Sequence, residues 1–282
     1  MYDTVNGAKL FFDVEGLSHV PDGPCMREKP TLLLLHGGPG FDHSMYKPHF
    51  SAMADIAQVI YLDHRGNGRS EGTLGRDNLP QWGDDVKGFC DALGIESPIV
   101  YGASFGGFVA QSYVTRHPEH PAKVVLTSTA AHIVFEEIFK AFERVGGKEA
   151  RDIAEPYWLE PTMERRMAYL EKCFPLYITR AKRDPDALKR AILRHDVGLT
   201  FNGPNNEQGQ MDFREGLTRV QCPVLVMAGD MDPIMPMPFS ETIVKCLPPQ
   251  LTRFERFAGA GHGVVPDDPE KAFRVLREFI LA

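Results

Sequence analysis
Gly102-Ala103-Ser104-Phe105-Gly106 follows an apolar run, opens a helical one, and matches G-x-S-x-G. A sharp strand-to-helix turn there lifts one side chain above a sheet, and small flanking residues are needed because neighbouring chain crowds the turn. The Ser104 hydroxyl is a poor nucleophile alone, so it needs a base and an anion-stabilising pocket. Phe105, at the start of the next helix, offers a free N–H for that pocket. The glycine-rich Leu35-His36-Gly37-Gly38-Pro39-Gly40 is a candidate for the other half. His36 reads as a residue that fixes loop carbonyls, because a better base lies downstream. That base is His262, in Gly259-Ala260-Gly261-His262-Gly263. The matching acid is Asp232, in Gly229-Asp230-Met231-Asp232-Pro233, with Asp230 read as a turn residue.

These groups act together only if the chain brings them to one edge of a sheet. Thr31 to Leu35 carries the unbroken apolar run Leu32 to Leu35, which predicts a strand buried on both faces. Further strands are expected at Lys9 to Val14, Gln58 to Leu62, Pro98 to Tyr101, Lys123 to Thr127, Pro223 to Ala228 and Thr252 to Phe257. Helices are expected around Ser44 to Ala54, Leu79 to Leu93, Ser104 to His117, Phe239 to Cys246 and Pro269 to Leu281. This alternation predicts an α/β fold with a mostly parallel central sheet and helices on both faces. Ser104, Asp232 and His262 each follow the C-terminal end of a strand, where open parallel sheets place their sites.

The alternation stops between His132 and Asp212, where the patterns are helical. Phe135, Ile138, Phe139 and Phe142 form one apolar stripe, and Met163, Met167, Leu170 and Phe174 form a second. Lys172 to Arg194 leans basic, which reads as a solvated helix face. Phe201 to Gln210 is polar and turn-rich and reads as a loop back to the sheet. The expected organisation is a core domain at 1–131 and 213–282, interrupted by a helical insertion at 132–212.

With 43% hydrophobic and 24% charged residues, the 282-residue chain has ample material for a core and is not a disordered one. A formal charge of −7 argues against a nucleic-acid partner. No apolar run approaches the ~18 residues of a spanning helix. Met1 to Gly16 lacks a basic end followed by an apolar stretch, so it does not read as a secretory signal. Five scattered cysteines without a CxxC pair fit free thiols in a reducing cytoplasm. Absent phosphate-loop, dinucleotide and metal-ligand patterns predict no cofactor and no metal. The expected partner is a small-molecule substrate, with no membrane contact; the oligomeric state stays open.

His36 to Gly40 (HGGPG), Asp63 to Ser70 (DHRGNGRS), the Ser104 turn, GDMD at 229–232 and GAGHG at 259–263 together resemble the α/β-hydrolase superfamily. The first two motifs most resemble its prolyl-iminopeptidase-like branch. The resemblance covers nearly the whole chain and is weakest over the insertion. It implies Ser104 as nucleophile, Asp232 as acid, His262 as base and the amides of Gly38 and Phe105 as oxyanion donors. It also implies that 132–212 is a helical cap over the triad and that Asp63, Arg65 and Ser70 form a structural turn. Two departures matter. The turn reads GASFGG where that branch usually has GGSWGG, and the branch's WxxWE-type cap segment, whose Glu holds the substrate's free amine, is missing. Glu136, Glu137, Glu155 and Glu160 are the carboxylates that could replace it. Ser104 also argues against the dehalogenases and epoxide hydrolases of this superfamily, which use Asp at that position.

The residues therefore point to a serine hydrolase that cleaves a small ester or lactone through an acyl-enzyme. An aminopeptidase or amidase is the alternative, and a non-hydrolytic ligand-binding or lyase use of the fold is the remote one. Phe135, Phe139, Trp158 and Met235 are the expected substrate walls.

Overall fold
The computed structural model describes residues 1–72, 78–180 and 186–282. Part of the basic stretch Lys172 to Arg194, residues 181–185, therefore lies outside the described residues. The strands, in chain order, are β1 (Tyr2–Val5), β2 (Ala8–Glu15), β3 (His19–Asp22), β4 (Cys25–Glu28), β5 (Thr31–Leu35), β6 (Gln58–Leu62), β7 (Ile99–Ala103), β8 (Lys123–Thr127), β9 (Val224–Gly229) and β10 (Thr252–Phe257). Eight of them form one sheet among the described residues, in the order β1-β2-β6-β5-β7-β8-β9-β10. β1, β2 and β6 pair antiparallel, and every pair from β6 to β10 is parallel. β3 and β4 form a separate hairpin. The edge strand β1 and this hairpin are absent from the sequence reading, because their exposed, mixed residues carry little apolar alternation.

The helices are α1 (Leu79–Leu93), α2 (Phe105–Arg116), α3 (Phe135–Leu159), α4 (Met163–Lys172), α5 (Ala187–Arg190), α6 (His195–Phe201), α7 (Glu207–Gln210), α8 (Arg214–Leu217), α9 (Met237–Cys246), α10 (Val264–Asp267) and α11 (Pro269–Leu281). α1 starts where Asn78 accepts the Gln81 N–H and ends at Gly94, in the left-handed region that glycine favours. Alternate residues of the central strands face two cores. Leu33, Leu35, Val100 and Val226 pack in the core that also takes residues of α1 and α2, while Leu32, Leu34, Tyr101 and Leu225 pack in the one containing α11. Burial on both faces explains the unbroken leucine run of β5.

The helix expected around Ser44 to Ala54 is instead two short 3₁₀ turns, His43–Tyr46 and His49–Met53. Lys47 between them is extended, the conformation that a following proline favours. Between β8 and β9 the described elements are helical, and one antiparallel bridge pairs His132 with Asp212. The first apolar stripe is buried as its spacing requires: Ile138, Phe139 and Phe142 are inside and Phe135 packs half-buried against them. The second is not. Met163 and Met167 are exposed, and α4 turns Arg166 and Tyr169 inward instead. Tyr169 packs edge-on against Phe142 and Trp158 and tilted against Tyr157, and that aromatic packing outweighs burial of two flexible methionines. The loop expected at Phe201 to Gln210 contains the single turn α7 and buries Phe201, Asn202 and Gln208.

Candidate active site
Ser104 sits between the last residue of β7 and the first of α2, with φ 55° and ψ −120°. A non-glycine residue pays for that conformation, so the surroundings must hold it. They do: the Ser104 N–H donates to Thr127 O (3.0 Å), and its carbonyl accepts from the Gly107 N–H (2.9 Å) and the Thr129 hydroxyl (2.9 Å). The glycines of the motif follow from contact. A Cβ on Gly102 would overlap the Gly106 carbonyl, and one on Gly106 would overlap the Leu35 carbonyl.

The His36–Gly40 loop leaves the end of β5 and passes directly beside Ser104, since a Cβ on Gly37 would lie 3.5 Å from Ser104 Cβ. Gly38 takes φ 146°, available to glycine, and the Gly40 N–H donates to Asn67 Oδ1 (2.7 Å). Phe105 begins α2, so its N–H has no carbonyl one turn back within the helix. His36 is buried and fully committed. Its Nδ1–H donates to Gly37 O (2.7 Å), while Nε2 accepts the His64 N–H (3.3 Å). Burial holds the pKa of His36 below the usual histidine range, against the pull of Asp63, and does the same more strongly for His64. Both rings are therefore neutral props under the loop.

Asp232 is fully buried after β9. Its Oδ1 accepts the N–H groups of Ile234 and Met235, each at 2.8 Å, and Oδ2 lies 2.8 Å from His262 Nδ1. With this carboxylate as acceptor, His262 Nδ1 must be the donor, which leaves the Nε2 lone pair free to take a proton. Asp230 is exposed and caps the Gly259 N–H (2.6 Å) instead. The Tyr177 ring meets the His262 ring edge-on at 4.8 Å.

Below this edge lies a charged scaffold. Arg65 makes two bonds to Asp85 (2.6 and 2.7 Å), both side chains being buried. Asp63 binds His43 (2.7 Å), and Ser70 donates to Asp63 O and accepts from Phe11 N–H. The DHRGNGRS stretch thus locks the loops and strands that carry the site.

Among the expected walls, Phe139 and Trp158 are buried within the aromatic packing of the insertion, Phe135 is half-buried, and Met235 is buried beside Asp232. Asn67, Thr129 and Tyr177 support the site and are missing from the sequence reading. Asn67 at least lies inside a motif, whereas Thr129 and Tyr177 carry no local signal. No group of three or more His, Cys, Asp or Glu among the described residues could hold a metal ion. An open groove of about 920 Å³ runs along α11 past Arg180, Phe273 and Arg277 and contains none of the three candidate catalytic residues. Among the described residues, no helix is long and apolar enough to cross a membrane.

A family model described as alpha/beta hydrolase fold matches residues 30–269. The chain is 28% identical to the proline iminopeptidase PfmaB of Pestalotiopsis fici, over 86% of this chain and 85% of that protein. It is 24% identical to 3-oxoadipate enol-lactonase 1 of Acinetobacter baylyi, over 90% of each. The structure of a thermophilic esterase from Thermogutta terrifontis is similar in fold, with a TM-score of 0.70 at 23% identity, covering 99% of this chain and 97% of that one.

Proposed function
The chain belongs to the alpha/beta hydrolase fold family, and from that premise we propose a serine hydrolase that cleaves a small ester or lactone through an acyl-enzyme. Ser104 attacks the carbonyl carbon while His262 Nε2 takes its proton, and Asp232 holds the imidazole and offsets its positive charge. The amides of Gly38 and Phe105 receive the oxyanion. The protonated His262 then returns its proton to the leaving group, and water activated by the same base releases the acid. The single observation that carries this reading is the 2.8 Å contact of the buried Asp232 with His262 Nδ1, because it selects the tautomer whose Nε2 carries the lone pair.

The 132–212 insertion is proposed as a cap on a core made of 1–131 and 213–282. Two contacts support it: Arg194 N–H donates to the Gly40 carbonyl (2.8 Å), and Tyr177 lies against His262. The expected walls Phe135, Phe139, Trp158 and Met235 would line the substrate space beneath it.

An ester or lactone is favoured over an aminoacyl substrate by the carboxylates of the insertion. Glu136 and Glu155 bind Arg151, Glu137 binds Lys140, and Glu160 binds Arg165. Each already faces a cation of the chain, which partly offsets the charge that would attract a substrate amine. The similarity to a proline iminopeptidase keeps aminopeptidase activity as the second reading.

Labelling with a fluorophosphonate tests the chemistry without knowledge of the substrate. Wild type should be modified at Ser104, and Ser104→Ala should lose labelling and about 10⁴-fold or more of turnover while staying folded. Unlabelled wild type would instead point to a non-hydrolytic use of the fold. A panel of aryl esters, lactones and aminoacyl amides then ranks the substrates, and a strict need for a free α-amine would overturn the ester reading.

A further inference from the structure
Asp267, the last residue of α10, touches the chain on both sides of His262. Its Oδ2 accepts the Gly261 N–H (2.7 Å), and its own backbone N–H donates to the Gly263 carbonyl (3.0 Å). The same carboxylate reaches into the insertion. Oδ1 accepts the N–H groups of Thr179 (3.0 Å) and Arg180 (2.8 Å), and the Thr179 hydroxyl lies 2.9 Å from Oδ2. That hydroxyl also lies 2.6 Å from Gly259 O, so its single hydrogen serves one acceptor at a time. The Gly263 N–H donates to Tyr177 O (3.1 Å), two residues before Thr179, and the Tyr177 ring meets His262. Asp267 is 7% exposed, so these bonds are made largely out of water.

We infer that Asp267 is a positioning residue, which fastens the Tyr177–Arg180 strap of the insertion to the loop that carries His262 and so sets the imidazole's orientation. This rests on the reading of His262 as the base. A carboxylate presents two acceptor oxygens and no hydrogen, which matches the N–H groups and the hydroxyl that face it. An asparagine presents one oxygen and an NH₂ group, so Asp267→Asn leaves amides of either Gly261 or the strap facing a donor. The loop then loses its fixed relation to the strap, and the imidazole its fixed direction. A misplacement of the order of 1 Å at a reacting group costs as much as ~10²-fold in rate.

The test is the rate of fluorophosphonate labelling at Ser104 in the full chain, with the melting temperature and the downfield proton signal of His262 Nδ1–H measured alongside. Asp267→Asn is expected to label about 10–100-fold more slowly per folded molecule, with a weakened Nδ1–H signal. Asp268→Asn removes the neighbouring carboxylate, which caps α11 by accepting the Lys271 N–H (3.2 Å), and should label at the wild-type rate. Wild-type labelling in a folded Asp267→Asn overturns the inference and leaves the hydrolase reading intact, as does equal slowing by Asp268→Asn. An unlabelled wild type removes the hydrolase reading and this inference with it. If Asp267→Asn does not fold, Asp267→Glu decides. It keeps the charge and both acceptor oxygens but moves them by one methylene, which should slow labelling about fivefold, so an unchanged rate overturns the inference.

Discussion

Gly106, in the turn that bears Ser104, lies against Leu35 at the end of β5 so closely that a Cβ would overlap the Leu35 carbonyl and stand 2.7 Å from the His36 carbonyl oxygen. The turn that bears Ser104 and the loop proposed to stabilise its oxyanion are thus pressed together at a backbone contact with no slack. Gly106→Ala is therefore expected to cost ~1–3 kcal/mol of stability, the usual scale of overpacking, and to slow Ser104 labelling as the two segments part. Denaturant midpoints and labelling rates measured together check both effects; an unperturbed variant would mean that the contact is loose.

The two aspartates after β9 should differ sharply. Asp232→Asn places an NH₂ group or a weaker acceptor opposite His262 Nδ1 and should lower turnover by about 10³–10⁴-fold through the wrong tautomer. Asp230→Asn replaces one acceptor by another at the exposed Gly259 N–H and should leave turnover nearly unchanged. Steady-state rates on any accepted aryl ester decide this, and the reverse order would sink the assignment of the acid.

The proposed walls divide by burial. Trp158 is 5% exposed and Phe139 3%, so Trp158→Ala and Phe139→Ala should lose ~3–5 kcal/mol of stability as cavities open in the insertion. Phe135 is half-buried at the start of α3. Its truncation should cost less stability and shift the ratio of specificity constants between a bulky and a small ester by about 10-fold or more. Constant ratios with a lowered melting temperature would make Phe135 ordinary packing.

A pH effect is expected at Glu207, whose Oε1 accepts the Leu79 N–H (2.6 Å) at the start of α1. Burial pushes its pKa above the ordinary 4.5, against the influence of that bond. The folded protein thus holds this proton more tightly than the unfolded chain does. The associated stability is complete below about 4.5 and is lost as pH rises through the raised value. Glu207→Gln keeps an acceptor and cannot ionise. Between about pH 4 and pH 7 the urea midpoint of wild type should therefore fall relative to that of Glu207→Gln, and a constant difference between the two would contradict the assignment.

Much of this architecture is written locally. The leucines of β5 announce burial on both faces, and Asn78 and Gly94 bracket α1 by their own hydrogen-bonding and conformational preferences. The order Ser104, Asp232, His262, each beyond the C-terminal end of a strand, is likewise visible in the chain. Short-range signals of this kind rest on backbone sterics and apolar periodicity, which every residue carries with it.

What the sequence could not express was partnership across distance. Met163 and Met167 have helical spacing, yet which face of α4 turns inward was decided by Tyr169 meeting Phe142 and Trp158. Asn67 matters to the site because Gly40 is brought to it, 27 residues away in sequence. Asp267 gains its place because Gly261 and the Thr179–Arg180 amides all converge on one carboxylate. The sequence supplied the candidate reactive residues and the elements on which they ride. Only tertiary structure decided which carboxylates were engaged and which amides they hold, because hydrogen bonds and burial depend on neighbours that the chain supplies only once it has folded.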